Sequence, residues 1–525
     1  MTETEAAGSL GADVADVADG ADVADVADVA DGADVADGAD RALADPDRQS
    51  RPRIAFLTYS TAEFDSRTAR MARSAVDAGY DVVVHARWEP GLPLQSDGPG
   101  FRIDRVPVVP ALAIPGLRGR GRRQLEAIRR RAAAGTGDVA EGSVGDGGRR
   151  TDAASPRPSR PAPADQVPGQ LRGTWITAPL RQARVAQRVL QRWQRRIVFY
   201  PIRPIAWAVA LESTVGPADI WHGMWATSLP ALDRLKRRHG GRTLYDSRDV
   251  FIHARGMDTM SSPWKWLLGG LERRWARRCD AILTVNDAYA GLLERRFGVP
   301  RPPVVRNTPA RYVPPSPPPD RLRERLGLPK TTRIVLYQGG LMSDRGIEQG
   351  MDAILSVPDA TLVLMGYGSQ ADAIRQLAGS PTYADRVRFV EPVAPAELLD
   401  WTASSDVMLM AIQPSSLNHR YTTPNKLWEA IAAGVPVVAS DLPGMASIVR
   451  ETGCGVLVDP TDPADIARGI NAILDLAPAE RASLRDRCRT AGETYAWEHE
   501  VAVLLALYGR LAPPPKGPVL PYAIS

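Results

Sequence analysis

Residues 423–440 read TPNKLWEAIAAGVPVVAS, a helix-forming run that ends in glycine and passes directly into an apolar run. Pro424 suits a helix start, where its missing amide proton costs nothing, and Gly434 suits a helix end. Lys426 and Glu429 are three residues apart, so they share one face near the helix N-terminus. The stretch predicts a helix followed by a buried strand.

The same helix start is suited to binding a nucleotide. A carboxylate at Glu429 can accept hydrogen bonds from two ribose hydroxyls, while Lys426 and the positive end of the helix can hold a pyrophosphate. A simple surface ion pair between the two side chains is the alternative. The surrounding helix-to-strand pattern favours the nucleotide site.

Strand and helix patterns alternate on both sides of this stretch, which predicts parallel sheets. In the first half, strands are expected at residues 54–59, 81–86, 106–109, 220–222, 243–245 and 281–285, and helices at about 66–77 and 264–278. In the second half, strands are expected at 334–337, 360–365, 387–390, 407–410 and 435–439, and a last helix at about 494–511. We expect an α/β fold with two Rossmann-like domains facing each other across a cleft.

Composition marks the domain boundaries. Residues 1–50 form an acidic Ala-Asp-Val repeat tail, with Asp at every third position from Asp13 to Asp40, which we expect to be disordered. Residues 51–312 are the expected N-terminal domain, interrupted by a disordered insertion at 134–173. A proline-rich linker leads into a C-terminal domain at 313–492. A helix at 493–511 is expected to cross back to the first domain, and residues 512–525 form a tail.

Charge and cysteine content narrow the protein class. The net charge is +4, but residues 1–50 carry fourteen acids and two Arg, so the rest of the chain is strongly basic. Such a body suits a polyanionic ligand or an anionic membrane. Cys279, Cys454 and Cys488 have no metal-ligand or disulfide spacing. With no secretory signal or spanning segment apparent, we expect a cytoplasmic protein, peripheral on the inner face of the plasma membrane if it contacts lipid.

One basic segment is a candidate for that contact. Residues 181–196 contain six Arg and no acid, together with Trp193, and the segment 181–207 continues with more aromatic residues. A surface helix with a solvated basic face explains the pattern simply. An in-plane membrane contact, with Arg at anionic headgroups and aromatic rings at the interface, is the sharper hypothesis.

Glycines follow two of the expected strands in the second half. Gly339 and Gly340 come after the strand at 334–337, with Arg345 a few residues later, and Gly366 and Gly368 follow the next strand. Glycine is common in the turns that follow strands, so these residues need no functional explanation. It also lets the backbone approach a phosphate closely, and Arg supplies a forked donor for one.

Together these motifs resemble glycosyltransferase family 4, the retaining group 1 enzymes with a GT-B fold. The segment from Glu429 to Ser440 matches the family's hallmark, and the preceding Pro-Asn-Lys resembles a subset that assembles surface polysaccharides. The first half adds further similar motifs, at residues 65–67, 219–222, 245–249, 305–309 and 495–497.

The chain departs from the family pattern at three places. Tyr421 stands where the family has a first Glu, which contacts the donor sugar. Gly340 stands at the family's phosphate-binding Arg, and Arg345 at its Lys, so Arg345 and Lys426 are expected to share the pyrophosphate. Arg248 and Asp249 replace a His and a Glu.

The resemblance implies transfer of a sugar from a nucleotide-sugar donor to a glycan or lipid-linked acceptor in cell-surface polysaccharide or glycolipid synthesis. It implies no cofactor and no obligatory metal. The residues it assigns to the donor are Gly339, Gly340, Arg345, Gly366, Gly368, Asn425, Lys426 and Glu429. Its catalytic candidates are His222, Asp246 and Asp249, with Asp65, Arg67 and Arg248 on the acceptor side.

Two other functions fit the same scaffold. A nucleotide-sugar epimerase would need no acceptor, and a catalytically silent binding protein would tolerate the missing Glu at position 421. We do not expect nucleic-acid binding, because no recognition motif or aromatic-basic sheet pattern occurs.

The membrane hypothesis gives a direct prediction. Changing Arg188, Arg192, Arg195 and Arg196 to Glu should release the protein from anionic vesicles in a sedimentation assay, since each basic residue near such a surface contributes about 1 kcal/mol. The same four residues changed to Lys are the control and should keep binding. Unchanged binding of the Glu variant would contradict the contact.

Overall fold

The computed structural model describes residues 51–63, 65–134, 201–254, 257, 260–316 and 319–513. The expected acidic tail at 1–50, the insertion from residue 135 onward, the basic stretch up to residue 200 and the tail from residue 514 lie outside these residues.

The described strands form two sheets. They are β1 (Arg53–Thr58), β2 (Asp81–Arg87), β3 (Gln95–Gly98), β4 (Phe101–Val106), β5 (Ile220–Met224), β6 (Arg242–Ser247), β7 (Ala281–Thr284), β8 (Arg333–Gln338), β9 (Ala360–Met365), β10 (Val387–Val390), β11 (Val407–Met410), β12 (Val437–Ser440) and β13 (Gly455–Val458).

Helices connect most of these strands. They are α1 (Ser66–Asp77), α2 (Arg118–Ala134), α3 (Arg203–Thr214), α4 (Leu229–His239), α5 (Ser262–Ala276), α6 (Asp287–Phe297), α7 (Arg321–Leu326), α8 (Ile347–Ile354), α9 (Ala371–Ala378), α10 (Pro395–Ala403), α11 (Leu417–Tyr421), α12 (Asn425–Ala432), α13 (Pro443–Thr452), α14 (Pro463–Leu474), α15 (Pro478–Thr494) and α16 (Trp497–Leu511).

Both sheets have the strand order of a doubly wound fold. The first runs β3-β4-β2-β1-β5-β6-β7 and the second β10-β9-β8-β11-β12-β13. All pairs are parallel except the β3–β4 hairpin. In each sheet the chain reverses its direction of travel beside the first strand, between β1 and β5 and between β8 and β11. Ligands of such sheets bind outside the carboxyl ends of the strands at this switch point.

The strands are apolar because helices cover both faces of each sheet. In β1, residues 54–57 are each at most 1% exposed. One face of the first sheet, which includes Trp221 of β5, packs on Trp207, and the other face packs on Met71, Trp497 and Tyr508. The last two residues belong to α16, which follows the second domain in sequence. The C-terminal helix therefore packs on the first domain, where the Trp497 indole also donates to the Ser74 hydroxyl at 3.0 Å.

The structure differs from the sequence-based expectation mainly at the edges of the sheets. The strand expected at 106–109 is instead β4, which ends at Val106, because Pro107 has no amide to donate to a ladder. The polar edge strand β3, the short β13 and the basic helix α2 were not expected. The sequences of β3 and α2 lack the apolar period that identifies central elements, and β13 is only four residues long.

The C-terminal end of the proposed membrane segment is not at the surface. Trp207 lies in α3, is fully buried and contacts Tyr59 edge-on with ring centroids 5.5 Å apart. It therefore belongs to the core, and the expected contact through 181–207 is wrong for this part. Within the described ranges, none of the helices has both the length and the apolar character needed to span a bilayer.

Replacing Trp207 should accordingly affect stability. We expect Trp207→Ala to lower the free energy of unfolding by about 3–5 kcal/mol, because it leaves a cavity beneath the first sheet. Denaturant unfolding followed by circular dichroism measures this change. Trp266→Ala is the matched control, since Trp266 is 81% exposed and its loss should change stability by less than about 0.5 kcal/mol. Equal effects of the two variants would contradict the core assignment.

Candidate functional site

One cleft lies between the carboxyl ends of the two sheets. The space inside it is about 950 Å³ when the open mouth is included. Its lining residues are Arg67, Trp225, Arg248, Asp249, Val285, Tyr289, Asn307, Tyr337, Gln338, Gly339, Gly340, Arg345, Thr422, Thr423, Pro424, Asn425, Lys426 and Glu429.

The N-terminal turn of α12 forms the centre of the C-terminal wall. Pro424 caps this helix in an extended conformation, so Asn425 and Lys426 begin the helix at the cleft. The Lys426 side chain is buried, and its Nζ lies 3.6 Å from the centroid of the Tyr337 ring at the end of β8. Such a cation–π contact keeps an ammonium group in a largely apolar wall. A cation is thus fixed beside the switch point of the second sheet.

Glu429 lies one turn further along α12 and is held by Gln338. The Gln338 amide donates to Glu429 Oε2, and its carbonyl oxygen accepts from the Thr402 hydroxyl at 2.8 Å. Burial raises the pKa of Glu429 above its ordinary value, although Gln338, Lys426 and Arg70 oppose the shift. The carboxyl is therefore oriented by one amide, and Lys426 provides a nearby positive charge.

Gly366 and Gly368 do not line the cleft, contrary to their expected role in donor binding. A Cβ at Gly366 would collide with the carbonyl oxygen of Gly339, and one at Gly368 with that of Leu341. Both glycines have φ near +150°, which side chains rarely adopt. The Gly339 amide also donates to Met365 O at 3.0 Å. These glycines therefore allow two loops to pack together and so position Gly339 and Gly340.

Two buried ion pairs form the N-terminal wall. Arg67 at the start of α1 donates through Nε and Nη2 to Asp246 Oδ2 and Oδ1, at 2.8 and 3.2 Å. Arg248 donates to Asp65 Oδ1 at 2.9 Å. Burial alone would raise the pKa of Asp246, but Arg67 and Arg248 hold it below its ordinary value. Asp65 and Asp246 do not line the cleft themselves; they fix the two arginines that do.

Trp225 and Asp249 complete this wall. Trp225 follows β5 directly and has φ 63°, an uncommon conformation for a bulky side chain. Its amide donates to Asp246 O at 3.0 Å, and its ring lies 5.3 Å from Arg248 Cζ. Asp249 follows β6 and brings a carboxylate to the cleft. Strained residues of this kind persist where the surrounding contacts fix them.

His222 does not lie in the cleft, so the structure does not support its expected catalytic position. It occupies the middle of β5, is fully buried, and its Nδ1 lies 2.7 Å from the Tyr508 hydroxyl of α16. Burial lowers the pKa of His222 to about 3, although Asp246 opposes the shift. Alternate side chains of a strand point to opposite faces of the sheet, and the His222 side chain lies on the face that α16 covers. We assign it to the packing of α16.

Neutral amide hydrogen bonds connect the two sides of the cleft. The Val250 amide donates to Asn418 Oδ1 at 2.9 Å, and the Tyr289 hydroxyl donates to Asn418 O at 3.0 Å. Asn286 donates to Tyr421 O at 3.0 Å. Tyr421, which stands where the family has a Glu, thus belongs to a helix that contacts the opposite domain.

A further amide pair lies beside the start of α12. Asn307 Nδ2 donates to Asn425 Oδ1 at 3.0 Å, and Asn307 Oδ1 accepts from Arg70 at 3.0 Å. Arg70 is also close enough to Glu429 for its positive charge to oppose the rise in the Glu429 pKa. The first domain therefore supports the helix start that lines the opposite wall.

Comparison with known proteins identifies the second domain. Residues 332–476 match the family model described as "Glycosyl transferases group 1". Residues 332–476 are therefore similar to the group 1 glycosyltransferases. A stretch of 194 residues is 32% identical to the D-inositol 3-phosphate glycosyltransferase of Xylanimonas cellulosilytica. That match covers 36% of this chain and 45% of the relative, so the chain spans less than half the length of that relative.

Solved structures identify the overall fold as GT-B. Sucrose-phosphate synthase from Thermosynechococcus elongatus superposes with a TM-score of 0.58 at 18% identity, covering 88% of this chain and 99% of the other. HepE of Anabaena, in complex with UDP, gives a TM-score of 0.55 at 14% identity, with coverage of 88% and 99%. At these identities the likeness concerns the fold alone.

Sequence reasoning missed several residues of the cleft. Gln338, Trp225 and Asn307 line the cleft, and Arg70 supports it from behind. Gln338 is the last residue of a buried strand and directly precedes Gly339, so its position could have indicated a ligand-facing side chain. Trp225 follows a strand in the same way. Asn307 lies in the family-like motif at 305–309 but was not among the expected site residues, and nothing local marks Arg70. The roles of both depend on the packing of two domains.

The loop-packing role of Gly366 gives a stability prediction. We expect Gly366→Ala to lower the free energy of unfolding by about 1–3 kcal/mol, because the methyl group must displace the Gly339 carbonyl and φ is unfavourable. Gly340→Ala is the control, since its Cβ would meet only Met342 side-chain atoms, at 3.5 Å and beyond. Thermal unfolding compares them, and equal stability of the two variants would contradict the packing role.

Proposed function

We propose that this protein is a retaining glycosyltransferase that moves a sugar from a nucleotide-sugar donor to a glycan or lipid-linked acceptor. The observation that carries the proposal is the oriented Glu429 carboxyl beside Lys426 at the start of α12, facing a cleft with a separate polar wall. The match of residues 332–476 to the group 1 glycosyltransferases supports the same conclusion.

Each donor-side group has a proposed part in binding. Glu429 accepts hydrogen bonds from the ribose hydroxyls through the oxygen that Gln338 leaves available. Lys426, Arg345 and the N-terminal amides of α12 stabilise the diphosphate, which carries the growing negative charge when the sugar leaves. We expect no resident cofactor and no obligatory metal. UDP is the first nucleotide to test, because HepE, which shares the fold, binds it.

The acceptor enters along the N-terminal wall. Asp249 and Trp225 line that side, so a carboxylate and an aromatic ring are available to orient a sugar or polyol hydroxyl. Retention of configuration requires the acceptor hydroxyl to attack from the face that the diphosphate leaves. The departing phosphate oxygen is the proposed acceptor of the hydroxyl proton, since His222 is buried elsewhere.

We propose surface-polysaccharide or glycolipid synthesis as the setting, with the basic stretch at 181–200 bringing the acceptor domain to an anionic membrane. An epimerase on the same scaffold is the second candidate. It would convert a nucleotide sugar without an acceptor, so product formed from the donor alone would favour it.

Turnover by the full chain tests the proposal. Purified protein is incubated with UDP-sugars, other nucleotide sugars and a membrane lipid extract, and products are identified by mass spectrometry. Glu429→Gln should lower kcat/KM for the donor about 10- to 100-fold, the value of a hydrogen bond to a charged group. Because burial raises the Glu429 pKa, the wild-type rate should fall at mildly acidic pH, and this limb should vanish in the variant.

Glu391→Gln is the matched control, because Glu391 is exposed and pairs with Arg375, and such surface ion pairs contribute little. Its kcat/KM should equal that of the wild type. Binding of nucleotides without turnover of any donor would instead favour a silent binding protein. Undiminished turnover in Glu429→Gln would remove the basis of the site assignment.

A further inference from the structure

We propose that the acceptor carries an oxyanion, a phosphate or a carboxylate, which Arg67 and Trp225 bind on the N-terminal wall of the cleft. The inference deepens the proposed function by naming the chemical class of the acceptor. It rests on the proposed function only where it calls the ligand an acceptor. The anion-binding site itself is inferred from the side chains of the N-terminal wall.

The first observation is an unused donor on a buried arginine. The Arg67 side chain is 2% exposed, and Asp246 accepts from its Nε and Nη2. Its Nη1 is buried and has no hydrogen-bond partner among the described residues. A buried guanidinium hydrogen without an acceptor is costly, so this arrangement indicates a group that a ligand supplies.

A second unused donor lies on the same wall. The Trp225 Nε1 is buried and likewise lacks a partner among the residues that the structure describes. Trp225 is joined to the Arg67 ion pair, because its backbone amide donates to Asp246 O at 3.0 Å. Its strained backbone, with φ 63°, is held at the point where β5 ends. Strain of this kind is common where a side chain must meet a ligand.

The chemistry of these two groups selects the ligand. Guanidinium and indole nitrogens donate hydrogen bonds and cannot accept them, so their complement is a group made only of acceptors. Two of the nearby carboxylates are already engaged: that of Asp246 by Arg67, and that of Asp65 by Arg248 and Thr68. A phosphate or carboxylate oxygen supplies the missing acceptors, whereas a hydroxyl would also need an acceptor for its own proton.

The charges on the N-terminal wall indicate where on that wall the oxyanion binds. The pKa values of Asp65 and Asp246 lie below the ordinary value, so both remain ionised and balance Arg67 and Arg248. Asp249, also on this wall, would repel an anion beside it. The oxyanion is therefore expected next to Arg67 and Trp225, and Asp249 is expected to face a neutral part of the acceptor. Lys426 and Arg345 on the opposite wall are left for the donor.

Titration of the UDP-loaded full chain tests this site. UDP is first added to saturation to occupy the donor wall, and then inorganic phosphate, acetate or glycerol is titrated by calorimetry. We expect phosphate or acetate to bind and glycerol not to bind. The tighter of the two anions identifies the oxyanion class.

Trp225→Phe is the decisive variant, because it removes one N–H and keeps an aromatic ring. It should weaken anion binding about 10- to 100-fold, the loss expected for a hydrogen bond to a charged group, and leave UDP affinity unchanged. Trp266→Phe removes an indole N–H from an exposed position on α5 and should bind the anion as the wild type does. Arg67→Lys, checked for folding by circular dichroism, should also weaken binding.

The failures of the two proposals are distinguishable. If UDP does not bind, the proposed function fails, and phosphate titration of the ligand-free protein and of Trp225→Phe still tests the anion site. If UDP binds but neither anion binds the UDP-loaded protein, the oxyanion proposal is overturned. It is also overturned if Trp225→Phe binds the anion as tightly as the wild type does.

Discussion

The burial of charged side chains at the ends of two parallel sheets is the constraint on which the rest of the structure depends. An ionised carboxyl loses the solvation of water when it is buried, and only nearby donors or cations offset that loss. Glu429 meets this requirement through Gln338 and Lys426, and Asp246 through Arg67. Because these two carboxylates have geometrically fixed partners, they keep a defined orientation on the walls of the cleft.

The two walls of the cleft stabilise their buried charges in different ways, and each arrangement suits a different ligand. On the N-terminal wall, Arg67 and Arg248 hold the pKa of Asp246 low, so the charges there cancel. On the C-terminal wall, burial raises the pKa of Glu429, and Lys426 lies over the Tyr337 ring. In the proposed function, the C-terminal wall holds the diphosphate and the N-terminal wall recognises the acceptor by hydrogen-bond geometry.

The sequence was sufficient for the architecture, because central strands of a doubly wound sheet are apolar throughout and glycine and proline punctuate them. The helix bearing Lys426 and Glu429 was predictable for the same local reason. Residues whose roles depend on contacts between two domains were not predictable from the sequence. His222 has the position of a site residue in sequence, yet its side chain faces α16, a helix that is almost 300 residues away in the chain. Gly366 and Gly368 similarly serve the packing of neighbouring loops.

The contacts that cross the cleft are of a third kind, and their chemistry bears on how the cleft works. Asn418, Asn286 and Asn307 make neutral hydrogen bonds between the domains, each of which contributes about 0.5–1.5 kcal/mol net. Water can replace such bonds at little cost, whereas separating a buried ion pair would leave an uncompensated charge. The two ion pairs of the N-terminal wall lie within one domain, whereas these amide bonds lie between domains. Opening of the cleft would therefore leave both ion pairs intact, while the charge of Arg70 would move away from Glu429.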